Sequence, residues 1–145
     1  MLRLIESSRN NLDLVLDEDN IKLIACNGID SIDKEIIFRK KNKEEIIYNF
    51  RFNINKEDID SLELSENNIT LNFSYDIWSL ILKNFSIFLE KGLFETHEIC
   101  EIYNKKGKVF YFNIYDDCSY KNFFDYYYIL KWLPHKINII MSATL

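Results

Sequence analysis

The chain reads as an α+β fold, a mainly antiparallel sheet of about eight or nine strands built from hairpins with two helices packed on one face. Three observations predict it. Apolar residues recur at period two in short runs separated by polar turns, the signature of half-buried strands. One stretch, Ile69 to Gly92, sets a clear strand directly before a clear helix. Gly (3) and Pro (1) are scarce, so neither linker nor disorder is expected, and residues 1–145 read as one domain. A chain of that length buries roughly two thirds of its unfolded surface without disulfides or metals.

From the start, Leu12, Leu14 and Leu16 alternate with Asp13 and Val15; DEDN then reads as a turn, and Ile21, Leu23 and Ala25 as the return strand of a first hairpin. Asn27-Gly28 marks the next turn. Glu35 to Arg39 and Glu45 to Ile54 flank the polar tip KKNK, with Tyr48, Phe50, Phe52 and Ile54 on one face. KEDID (residues 56–60) reads as a short helical turn leading into Leu62 and Leu64, and SENN joins these to Ile69–Phe73. Ser74 or Asp76 can cap the helix that follows, because either side-chain oxygen accepts a free first-turn N–H, and Gly92 is placed to end it. Trp78, Ile81, Leu82, Phe85, Phe88 and Leu89 form its buried stripe. Asp76, Lys83 and Glu90 interrupt any reading of it as a membrane span.

Glu98–Tyr103 and Lys108–Tyr115 flank NKKGK as a further hairpin, in which Gly107 supplies a positive φ. Asp116, Asp117 or Ser119 can cap a second helix from Ser119 to about Leu133, ended by Pro134, before a last strand at Ile137, Ile139 and Met141. No repeat of fixed period is visible, although four hairpins recur.

Charge is distributed in blocks. The net charge is −5, yet residues 57–76 hold six acids and no base. This acidic island, with Glu57, Asp58, Asp60, Glu63 and Glu66, reads as a solvated edge or as a docking surface for a protein partner with a basic surface. Its acids are expected on exposed turns and strand edges, where charge reversal leaves the fold intact. The basic tip at Arg39, Lys40, Lys41 and Lys43 reads as a wet hairpin turn, and no nucleic-acid partner is expected. Eleven of the twenty-two aromatic residues lie between Phe110 and Trp132. Tyr120, Tyr126 and Tyr128 in this segment are candidate partner contacts, and the aromatic helix is a candidate homodimer interface, because Tyr buries area while tolerating a wet edge.

Motifs for catalysis are sparse. Three isolated glycines cannot build a phosphate-binding loop, GxSxG is missing, and neither His97 nor His135 has a nucleophile pattern around it. Cys26, Cys100 and Cys118 with His97 match no zinc spacing, and no metal or other cofactor is expected. The odd cysteine count predicts reduced thiols, with Cys26 and Cys100 buried in strands and Cys118 the most reactive. An acid at Glu6 precedes any signal-length apolar run, so no membrane association and a cytoplasmic location are expected. The Ile-, Asn- and Lys-rich composition points to an AT-rich bacterial, phage or viral genome.

The leading functional expectation is therefore a small non-enzymatic protein-binding inhibitor, such as an immunity protein neutralising a toxin or a phage antagonist of a defence enzyme. One alternative is a metal-dependent, nuclease-like phosphoryl-transfer enzyme using Asp116 and Asp117, adjacent carboxylates at a strand end. Another is a structural or oligomerisation subunit.

Overall fold

The computed structural model describes residues 2–28 and 33–121. Eight strands close into a barrel: β1 (Leu2–Glu6), β2 (Asn11–Leu16), β3 (Asp33–Arg39), β4 (Glu45–Asn55), β5 (Ser61–Leu64), β6 (Asn68–Ser74), β7 (Glu98–Tyr103) and β8 (Val109–Asp116). Their order around the barrel is β1-β2-β8-β7-β5-β6-β4-β3. Two helices, α1 (Glu18–Asn27) and α2 (Tyr75–Lys91), pack against each other and onto the barrel's core.

The sheet is mixed rather than mainly antiparallel. The hairpins β1/β2, β3/β4, β5/β6 and β7/β8 are antiparallel. The seams between them, β1/β3, β2/β8, β4/β6 and β5/β7, are parallel. β2 runs antiparallel to β1 and so ends where β1 began; α1 connects at that end, β3 starts from it alongside β1 in the same direction, and β6, α2 and β7 repeat the arrangement beside β5.

The expected hairpin at Leu12–Ala25 is corrected: its first arm is β2, but its second is α1. DEDN is a helix cap, with Asp17 Oδ1 accepting the Asn20 N–H at 2.8 Å. Glu18 and Asp19 then place negative charge at the positive end of the helix dipole. Asn20, Ile21 and Ile24 are buried at helical spacing while Lys22 and Cys26 face solvent, so Cys26 is exposed on a helix rather than buried in a strand as expected. A run of only five residues at 21–25 fits either period. KEDID is likewise bent rather than helical, and β1, which the sequence reading omits, pairs on both sides. The ends of the Ile69–Gly92 stretch follow expectation, since Ser74 Oγ accepts the Ile77 N–H and Gly92 ends α2 in the left-handed region at φ 78°, but Leu89, expected in the buried stripe, is exposed and Asn84 is buried instead.

Inward residues of all eight strands meet the buried faces of both helices in one core. Phe73 lies 5.2 Å from Phe112 and 5.9 Å from Phe52, whose ring is 5.5 Å from Trp78. Among the described residues no helix is long and apolar enough to cross a membrane.

The topology repeats. Strand-strand-helix-strand-strand occurs twice, and every pairing of the first half has its counterpart in the second. Local details follow suit. Gly28 and Gly92 both close their helices with an N–H to the carbonyl four residues back. The Lys40–Glu44 and Asn104–Lys108 turns share one hydrogen-bond pattern, with Lys43 and Gly107 both at positive φ. A sequence period is hidden because α1 has 10 residues and α2 has 17.

Candidate functional site

The acidic island gathers around the start of β5. After β4, Asn55 turns the chain by accepting the Glu57 N–H on its side-chain oxygen at 3.0 Å. Glu57, Asp58, Glu63 and Glu66 are exposed. Exposed apolar groups lie among them: Ile59 is 51% exposed and Leu64 43%, while Tyr103, paired with Ser61, is 43% exposed. The ion pairs among the described residues are Arg39–Glu45, Lys40–Glu44 and Lys83–Glu95, so none of the five island acids is ion-paired with a described base. The basic tip differs, since Arg39 and Lys40 spend their charge on Glu45 and Glu44 and Lys41 donates to Asn10.

Asp60 departs from its neighbours. Its Oδ1 accepts the Ser74 N–H at 2.7 Å, at the cap of α2, and its main-chain carbonyl accepts the Tyr103 N–H at 3.1 Å. It ties the island to α2 and β7, and only four of the five predicted acids are free to meet a partner. Beneath them a polar ladder runs across the outer wall, from Asn53 Nδ2 to Asn72 Oδ1 (3.0 Å) and from Asn72 Nδ2 to Ser61 Oγ (3.1 Å).

Of the aromatic candidates, Tyr120 is buried against Ile5, Val15 and Tyr115. Tyr126 and Tyr128, the rest of the aromatic helix with its candidate homodimer interface, and the strand expected at Ile137–Met141 lie outside the described residues. Residues 117–121 are helical, and Asp116 Oδ2 accepts the Ser119 N–H at 3.1 Å, which is the capping role. Asp116 is buried and Asp117 exposed. No group of three His, Cys, Asp or Glu side chains placed to hold a metal ion exists among the described residues.

A second polar centre, not expected from the sequence, surrounds Asp13 on the outer wall of β2. Asp13 is 7% exposed and accepts the Asn113 side-chain N–H at 2.9 Å. Burial pushes its carboxyl above the usual range, opposed by hydrogen bonds from Asn113 and Tyr120 and by the charge of His97. The His97 ring stacks on Tyr115 at 4.4 Å, and its Nδ1 lies 2.9 Å from the Ile114 carbonyl. Burial, then the Asp13 charge, push both Tyr115 and Tyr120 up to about 12. These phenols therefore stay protonated at neutral pH and serve as packing and hydrogen-bonding groups. Alternation marks Asp13 as outward-facing; the available hint that this face is covered was Val15, apolar on the same side. Above the centre, Arg3, Ile5, Arg39, Asp117, Cys118, Tyr120 and Lys121 line a cleft of about 450 Å³.

No protein-family model, curated protein or solved structure matches this chain.

Proposed function

We propose that this protein is a small protein-binding module of the inhibitor type, an immunity protein or an antagonist of a defence enzyme, that docks a basic partner through Glu57, Asp58, Glu63 and Glu66. The observation that carries this reading is that, among the described residues, no ion pair engages the exposed acids that accompany exposed Ile59, Leu64 and Tyr103. Uncompensated charge of one sign raises association rates, and desolvated apolar and aromatic groups at its centre slow dissociation. Asp60 contributes by holding the loop rather than by meeting the partner.

The test is affinity capture from the native host with the wild type and with a Glu57→Lys, Asp58→Lys, Glu63→Lys variant, followed by association kinetics on the retained protein. A basic partner whose association slows by about tenfold or more in the variant, with weaker salt dependence, supports the reading. An unchanged rate at low salt reduces the island to a solvated face.

A further inference from the structure

The two halves of the barrel repeat each other except at one seam. β1 and β3 pair over four positions, from Leu2↔Ile36 to Ile5↔Arg39. Their counterparts β5 and β7 pair at one position, Ser61↔Tyr103. β7 has six residues and uses its other side for β8. Ahead of Tyr103, therefore, the β5-facing side of β7 carries no strand among the described residues. Main-chain groups alternate in direction along a strand, and the Tyr103 N–H points to the Asp60 carbonyl. Two residues earlier, Glu101 presents its own N–H and C=O the same way. Unpaired strand edges are templates for another strand, and chains usually guard them with Lys or Pro. β7 has neither; its charged residues are Glu98 and Glu101, both exposed.

Resting on the docking role proposed for the acidic face, we infer that the free edge of β7 between Glu98 and Glu101 accepts an extended basic strand of the partner, which adds to the barrel by main-chain hydrogen bonding. Charge complementarity selects the occupant. Glu98 and Glu101 lie on the edge itself, and the exposed Glu57 and Asp58 lie in the loop that leads to the Tyr103 anchor. Cys100 reports this crowding: its thiol is pushed up to about 12 by burial first and then by Asp60 and Glu101. Ile59 and Tyr103 supply apolar surface at the end of the edge, suiting a segment in which Lys or Arg alternates with apolar residues. In such recognition the main chain provides affinity, and alternate side chains provide specificity.

The experiment uses the full chain, isotope-labelled, titrated with a peptide of about eight residues alternating lysine and valine, a length typical of single strands. Two control peptides replace lysine by glutamate or N-methylate alternate main-chain nitrogens. The expected result is a shifted, exchange-protected Glu101 amide, with binding about tenfold or more weaker for either control. No change at Glu101 with millimolar lysine peptide, or equal binding of the N-methylated peptide, overturns strand addition. The Glu57→Lys, Asp58→Lys variant separates the two proposals. If it weakens lysine-peptide binding while N-methylation does not, the acidic face stands and strand addition falls; if neither change matters, both fall.

Discussion

Replacing Asp60 by Ala separates the acid that builds the site from those that face outward. Its carboxylate accepts the Ser74 N–H at 2.7 Å in a partly buried setting, next to the positive end of α2. A hydrogen bond to a charged group contributes about 1.5–3 kcal/mol, and Ala leaves the Ser74 N–H without its acceptor. The Tyr103 N–H bond to the Asp60 carbonyl is main chain and survives, so the substitution isolates the side chain. For a domain of this size each kcal/mol moves Tm by roughly 2–4 °C, giving an expected drop of about 3–12 °C. Asp58→Ala, on an exposed and unpaired acid, should change stability by no more than about 0.5 kcal/mol. Urea unfolding of both variants, with unchanged m-values, reads the difference directly. If the two variants unfold within about 0.5 kcal/mol of each other, Asp60 does not brace α2 and is energetically no different from the exposed acids beside it.

Asp13→Asn tests the buried centre. Because burial raises the Asp13 carboxyl, the folded state holds its proton more tightly than the unfolded chain does. Wild-type stability should therefore lose a contribution as pH rises from about 4 through the ordinary carboxylate value towards the raised folded one. The variant lacks that loss, so the gap in Tm between variant and wild type should widen in the variant's favour with pH; a flat gap refutes the assignment. Thiol labelling should be fast at Cys26 and Cys118, both exposed, and slow at half-buried Cys100, whose thiol lies near 12. Fast labelling of Cys100 would contradict its burial in β7, and slow labelling of Cys26 would contradict the placement of α1. Gly92→Ala meets open space but keeps φ at 78°, so it should cost about 1–2 kcal/mol in backbone strain alone, measured by chemical denaturation.

The local signals were legible where neighbours in sequence are neighbours in space. Ser74 and Gly92 bracket α2 because caps satisfy the ends of their own helix. Glu35–Arg39 with Glu45–Ile54, Leu62–Leu64 with Ile69–Phe73, and Glu98–Tyr103 with Lys108–Tyr115 fold as hairpins around short polar turns. The charge block at residues 57–66 was visible as composition, and four of its acids are exposed as a solvated or docking surface requires.

Contacts between distant residues left no comparable trace. Asp13 reads as a solvent-facing strand residue, yet it meets Asn113 and Tyr120 about a hundred positions away, and those contacts bury it. Ile21–Ala25 fits a strand as well as a helix until packing against the core selects the face containing Ile21 and Ile24. The sequence by itself determined three of the four hairpins, the caps of α2 and the sign of the charge on each segment, because each depends on groups within a few residues. The tertiary structure alone decided that the hairpins close into a mixed barrel, that Asp60 braces α2, and that β5 and β7 meet at one position where β1 and β3 meet at four. Each of these depends on pairing across long loops, whose free energy depends on the surfaces brought together rather than on any short stretch of the chain.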